Sequence, residues 1–512
     1  MGERVHKSLM NAEVNLLFYF LSLFLTFFSR KIFLDNLGAE FIGLTGTLNN
    51  ILGYLNLSEL GISACIGYFL FKPLQSNNRQ EIQDILSLLG FLYNRIGAVI
   101  FGGAFLVSLF FPLIFAHASL SLAIIYFAFY SFLGSSLIGY FINYRQILLS
   151  ADQKNYLVAI YYQSANLIKL ALQIFLAYHY KNLYVWVAVE FLFGILGCII
   201  LNWKINKEYP WLHVDKSRGR LLLKQYPEII TKTRQVFIHK IKDFMLVKSD
   251  ELFIFLFVSL KMVAYYGNYM IIISKLISMF SAVTGSVGAS VGNLVAEGHK
   301  PNMLKVFWEY TTIQHTIAAI LSFSLYTLTE PFIAHWVGAE YIMDRNILVL
   351  LILYIYITNS RNAVDSFNYA QGLYADVWSA WAELIINVTV TIVCGLQWGI
   401  IGILLGKIAS LVPIVVIWKP YYLYKRGFQE SVFIYWRHTL THLAILAGII
   451  AANYATIHYL HWEIGTTLPS MFGYALCILL PILLLYSVMV YLFCPGSRDL
   501  ISRVPFIRKK SN

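Results

Sequence analysis

Charge is what this chain has least of. Only 12% of its 512 residues are Asp, Glu, Lys or Arg, against roughly 25% in a typical soluble protein. Hydrophobic residues make up 59%. The longest polar stretch, KINKEYPWLHVDKSRGRLLLKQYPEIITK at 204–232, leaves little room for a soluble domain. Cysteine is also scarce, with five residues and no CxxC pair. That excludes a zinc site or a disulfide framework of the usual spacing. There is no G-x-S-x-G, no Walker A, no HExxH and no aspartate-rich nucleotide-sugar motif. The 12 histidines do not gather at ligand spacing. We therefore expect no catalytic residue, no metal and no cofactor, and no enzyme. The N-terminus MGERVHKSLMNAEV has basic residues before an apolar run but no small-residue cleavage site. It reads as a retained first span and not as a signal peptide.

Long apolar segments are abundant. A helix needs roughly 20 apolar residues to cross the hydrocarbon, and about fourteen segments meet that length. We place them at 11–33, 41–71, 85–115, 118–142, 156–179, 183–204, 234–259, 263–296, 304–328, 346–372, 376–396, 398–423, 435–459 and 469–493. The fold class is all-α integral membrane. The connections alternate sharply in charge. One set holds Arg4, Lys7, Lys72, Arg79, Arg145, Lys154, the basic cluster from Lys204 to Arg234, Lys300, Lys305, Lys419, Lys425, Arg426, Arg437 and the tail from Arg498 to Lys510. The other holds only Arg30, Lys31, Lys181, Lys261 and Arg345. Basic loops stay inside, so both termini are expected in the cytoplasm. The same rule accounts for the net charge of +12 without invoking nucleic acid.

The halves of the chain look related at a shift of about 222 residues, the mark of a parallel internal repeat. FIGLT (41–45) falls opposite YYGNY (265–269), and Asn166 falls opposite Asn387. The expected organisation is a six-helix bundle over 1–205, a linker loop over 206–233, a second six-helix bundle over 234–424, and two further helices with a basic tail over 425–512.

Charged residues lie inside or at the edges of these spans: Lys169, Lys240, Asp243, Lys248, Asp250, Lys275, Arg361, Asp365, Glu383 and Lys407. A charge at the bilayer centre costs about 3 kcal/mol on insertion scales. So many of them argue for a protein-lined, hydrated interior. Polar residues also form stripes. Asn11, Asn15, Ser22, Thr26 and Ser29 share one face of the first span, and Thr45, Asn49, Asn56, Glu59 and Ser63 share one face of the second. In the seventh span Lys240, Asp243, Lys248, Asp250 and Glu251 do the same, and in the eighth Asn268, Lys275, Ser286 and Asn293. Lys169 with Gln163, Asn166 and Gln173 makes a further polar face, as do Asp376, Glu383 and Asn387. Ser, Thr and Asn often merely tie membrane helices together at about 1 kcal/mol each. A bare ammonium is a costlier tie, so the lysines are the sharper signal. Arg361 and Asp365 are four apart and can neutralise each other. His239 and His315 are candidate proton carriers, though a single membrane histidine is more often a hydrogen-bonded helix contact.

At these residues the chain resembles a known family. FFSRKIFLDNLGAEFIGL (27–44), NILGYLNLSELGISACIGYFLFKPL (50–74), SDELFIFLFVSLKMVAYYGNY (249–269), FNYAQGLYADVWSAWAEL (367–384) and GIIGILLGKIAS (399–410) carry the likeness. It is to the polysaccharide transporter family, the O-antigen and capsule repeat-unit flippases of the multidrug/oligosaccharidyl-lipid/polysaccharide exporter superfamily. Resemblance implies fourteen helices, alternating access, and a polyprenyl-pyrophosphate-linked oligosaccharide as substrate. It implies a bacterial cytoplasmic membrane, contact with membrane lipids, and work alongside a polymerase and other polysaccharide assembly proteins. The charges suit an anionic pyrophosphate. Arg30, Asn49, Asn56, Lys240, Lys248, Asn268, Lys275 and Arg361 are the expected cleft residues. Glu59, Asp250 and Glu383 are the expected carriers of a coupling H+ or Na+. The run KIKDFMLVKSDE departs from the family by its density of charge, which leaves the depth of Lys240 to Lys248 open. A lipid II flippase or a drug exporter of the same superfamily fits the pattern less well, since drug exporters need acidic sites. A membrane polymerase or glycosyltransferase would show a large outward loop, and a scaffold would not need paired polar faces.

Overall fold

The computed structural model describes residues 2–502 except 57–61, 153, 285–290, 292–293, 296–297, 374–375, 461–467 and 495. Side chains are described for fewer, and among those outside are 2–12, 63–65 and most of 232–248. The described residues form helices joined by short turns, with no strand. The chain divides into two compact units, residues 1–264 and 265–512.

In the first unit the principal helices are α1 (Gly2–Leu37), α2 (Ala39–Leu55), α3 (Ile62–Gln75), α4 (Arg79–Ser108), α5 (Leu122–Phe141), α6 (Ser164–Tyr180), α7 (Leu183–Glu208) and α8 (Pro227–Phe257). The chain signals several of these ends. Asn78 caps α4 by accepting from the Glu81 amide at 3.2 Å. Asn182 caps α7 by accepting from the amides of Tyr184 and Val185. Between them, Lys181 takes a left-handed backbone (φ 48°) that ends α6. Pro227 stands at the start of α8, where its missing N–H costs nothing.

The segment between α7 and α8 is ordered against α4. The Trp211 carbonyl accepts from Gln83, the Asp215 amide donates to Ser87, and Arg218 pairs with Asp84 at 3.1 Å.

In the second unit the principal helices are α9 (Leu260–Thr284), whose first turn belongs to the first unit, α10 (Lys300–Trp336), α11 (Arg345–Ser360), α12 (Asn362–Ala370), α13 (Val377–Trp398), α14 (Ile400–Leu411), α15 (Phe433–Leu460) and α16 (Leu468–Phe493). Glycine makes the α13–α14 hairpin. Gly399 turns the chain at φ 56°. A side chain at Gly402 would overlap the Cys394 carbonyl, and one at Gly406 would overlap Thr391. Small residues four apart let two membrane helices approach backbone to backbone. A second anchor is aromatic: Phe307 packs edge-on against Phe367 and Phe428, and all three are buried.

Nine of the described helices are long and apolar enough to cross a membrane. The described residues of the other expected spans are mostly helical too, in shorter or more polar runs. Large apolar side chains such as Phe24, Leu113, Leu396 and Leu484 are 67–77% exposed. A water-soluble protein would not show so broad an apolar exterior, and hydrocarbon is its natural solvent. The protein is a multi-pass membrane protein.

Candidate functional site

Among the described residues of the first unit lie two cavities with polar walls. The first, of about 470 Å³, is lined by Asn56, Tyr93, Ser136, Tyr140, Tyr144, Gln146, Ser150 and Asn155. Asn56 sits just past the end of α2 and donates to Ser136 of α5 at 3.2 Å. Its carbonyl oxygen is buried with no partner among the described residues. Buried acceptors are nearly always satisfied, and an unmet one costs about 1–3 kcal/mol. Tyr93 packs edge to face against both other tyrosines, with ring centres 5.4 Å from Tyr140 and 6.4 Å from Tyr144. The Lys216 ammonium lies 4.8 Å from the Tyr144 ring and donates to Asn94 and to the Phe141 carbonyl. Lys216 lies between the spans, and burial beside Tyr144, with Arg145 adding repulsion, pushes its pKa down.

The second cavity, of about 460 Å³, lies among α1, α6 and α7. Asn15 and Ser22 reach it from α1, Gln163, Asn166, Lys169 and Gln173 from α6 and the turn before it, and Trp186 and Glu190 from α7. The Lys169 ammonium is 2.6 Å from Glu190. Gln173 donates to the other Glu190 oxygen at 3.0 Å and to the Trp186 carbonyl at 3.2 Å. Thus the polar face of α6 and the stripe of α1 converge on one space. The partner that sequence spacing missed is Glu190. It lies on the next helix, and no periodicity within α6 points to it.

The remaining expected residues fall as follows. Arg30 is half-buried, and its guanidinium donates to the Ala264 carbonyl at 2.8 Å, at the first turns of α9. Asn49 is exposed and turns back on its own helix to the Thr45 carbonyl at 2.8 Å. Its neighbour Asn50 points inward and donates to Glu251 of α8. One residue along a helix rotates the side chain by about 100°, so a stripe read from spacing easily selects the wrong member of a pair. Asp250 is 3% exposed. The side chains of Lys240 and Lys248 lie outside those described, and Glu59 lies outside the described residues.

In the second unit Asn268 is fully buried and Lys275 half-buried on α9. Arg361 pairs with Asp365 at 2.9 Å, as their spacing of four expects. Glu383 is 3% exposed on α13. At the start of that helix Asp376 accepts from Lys419 at 2.8 Å, from Trp418 at 3.0 Å and from Ser379 at 3.0 Å. Lys407 is buried with its ammonium 4.4 Å from the Tyr354 ring, a cation–π contact. His315 is buried, shares a hydrogen bond of 3.0 Å with the Tyr356 hydroxyl, and stacks on His442 with ring centres 4.6 Å apart. That is a helix contact joining α10, α11 and α15. His239 lies outside the described side chains. No cluster of metal-ligating side chains occurs among the described residues.

The arrangement can bind polar, hydroxyl-rich groups inside a membrane protein. No family model matches the chain, and no curated protein matches its sequence. Solved structures do match its fold. One is a lipid II flippase, MurJ, in an inward closed conformation, with a TM-score of 0.64 over 95% of this chain and 99% of that one, at 16% identity. Another is an inward-facing multidrug resistance MATE family transporter of the MOP superfamily, with a TM-score of 0.57 over 79% of this chain and 94% of that one, at 12% identity. The chain therefore has the fold of these transporters.

Proposed function

We propose that this protein is a flippase that carries polyprenyl-pyrophosphate-linked oligosaccharide repeat units across the bacterial cytoplasmic membrane by alternating access, for O-antigen, capsule or exopolysaccharide assembly. The observation that carries the reading is the pair of cavities of about 470 and 460 Å³, walled by amides, hydroxyls and aromatic rings, inside a transporter fold. Sugars need such donors and acceptors in place of water. Asn56 is the residue we place against a sugar, because its carbonyl oxygen lacks a partner among the described residues. Arg30, Lys240 and Lys248 of the first unit, and Asn268, Lys275 and Arg361 of the second, are each proposed contacts for the pyrophosphate and its first sugars. Lysine acts there as a point charge. Glu59, Asp250 and Glu383 are the proposed carriers of H+ or Na+. No other cofactor is proposed.

Deleting the gene should stop display of one surface polysaccharide and leave its lipid-linked repeat unit stranded at the cytoplasmic face. Unchanged surface polysaccharides would refute this. A second reading is supported by the fold match to a lipid II flippase: the sugar carried would then be the cell-wall precursor. Arrest of peptidoglycan synthesis on depletion, with other glycans unaffected, would favour it.

A further inference from the structure

We propose that the cavity among α1, α6 and α7 is a binding site for a neutral sugar residue of the transported head group, separate from any site for its pyrophosphate. The inference rests on the flippase reading above. Three features of the cavity point to a neutral polyhydroxyl ligand.

The first is charge. The two ionic groups in the wall, Lys169 and Glu190, are 2.6 Å apart and largely sheltered, with 16% and 27% of their side chains exposed. Both Glu190 oxygens are engaged, one by Lys169 and one by Gln173. The pair is already neutral, so an anion such as pyrophosphate gains little there, while the dipole and spare ammonium hydrogens still serve hydroxyl groups.

The second is donor and acceptor supply. Asn15, Gln163 and Asn166 present amides to the cavity, and each amide offers both a donor and an acceptor. Asn166 and Gln163 are held to each other only loosely, at 3.5 Å. Adjacent sugar hydroxyls require that pairing. Gln173 is only 1% exposed and is fixed at both ends of its amide nitrogen. It makes the floor rigid.

The third is the aromatic wall. Trp186 packs edge-on between Phe33 and Phe41, each at 5.6 Å, so its ring is held in place. Its indole N–H is buried without an acceptor among the described residues. Tyr19 adds a second ring from α1. Apolar sugar faces lie against such rings, and a cavity of about 460 Å³ lies within the usual size of small-ligand sites.

The test uses the purified full-length protein in nanodiscs. The probes are short-chain prenyl pyrophosphates that are bare or carry one N-acetylglucosamine, galactose or rhamnose. Binding is read by calorimetry for the parent, Asn166→Ala and Gln173→Leu. At least one sugar-bearing probe should bind more tightly than the bare one. Asn166→Ala should remove about fivefold of that increment, the worth of one hydrogen bond, and leave bare-probe affinity unchanged. Gln173→Leu should remove more. A sugar increment indifferent to both variants would overturn the site alone and leave the flippase reading standing. No sugar increment for any probe would overturn the site and the substrate class together. Phospholipid found by mass spectrometry in the parent protein and absent from Asn166→Ala would reassign the cavity to a lipid head group, which also overturns the proposal.

Discussion

Lys169 and Glu190 meet at 2.6 Å across the contact between α6 and α7, with Gln173 donating to the second Glu190 oxygen. Each charge makes the other tolerable in the membrane. Removing one leaves its partner uncompensated, which for a buried pair costs about 3–5 kcal/mol, less here because both are partly exposed. Lys169→Met and Glu190→Gln should each lower the unfolding temperature in detergent. The double variant should recover much of the loss. A double variant as unstable as the sum of the singles would mean the two residues act independently.

The α13–α14 hairpin depends on glycine. Gly406→Leu should force the helices apart at Thr391, with an overpacking cost of about 1–3 kcal/mol. Gly102→Ala on α4 meets nothing within 4 Å, and it should stay within about 0.5 kcal/mol of the parent. Thermal unfolding of the two purified variants checks this. Equal losses would remove the close approach as the cause.

The α6–α7 pair also shows where sequence reading stops. Lys169 was legible because an ammonium inside an apolar run is conspicuous. Glu190 was not, because it sits 21 residues on in the next helix and only packing brings it near. The helices themselves were legible from apolar length, whereas the close approach of α13 and α14 at Gly402 and Gly406 shows only in the packing. The choice of Asn49 over Asn50 shows the limit of stripes: Asn49 faces out and Asn50 reaches Glu251. The Asn56 cavity was half-legible. Asn56 stood out on the second expected span, but the tyrosines that wall it come from α4, α5 and the following turn, with no shared periodicity.

Between the spans, Lys154 bridges Asp152 at 2.7 Å and Glu208 at 3.1 Å. Burial alone would lower its pKa, but hydrogen bonds and charge from Asp152 and Glu208 outweigh this and raise it. A lysine held high in the folded state stabilises fully below its unfolded value of about 10.4, and that contribution is lost as pH rises through the folded value. Stability should therefore be insensitive to this group from pH 6 to about 9. Lys154→Met should lower the unfolding temperature there by about 2–4 °C and flatten the alkaline fall. An unchanged alkaline limb in Lys154→Met would exclude the bridge as its source.

The basic bias of alternate connections predicts cytoplasmic termini. Reporter fusions after Lys510 and within 206–226 should both read as cytoplasmic. An extracytoplasmic signal at one of them would require an odd number of crossings between the two points.

The central claim is translocation of a lipid-linked oligosaccharide, and reconstitution tests it most directly. Proteoliposomes holding the purified protein and the lipid-linked repeat unit from its own host would be exposed to an impermeant sugar-oxidising reagent, and the protected fraction followed in time. The account predicts that the initially protected half becomes accessible with the parent protein. Asn56→Leu should slow this at least about fivefold, the cost of leaving one sugar hydrogen bond unmade. A protected fraction that stays constant with folded parent protein, under both imposed proton and sodium gradients, would contradict it.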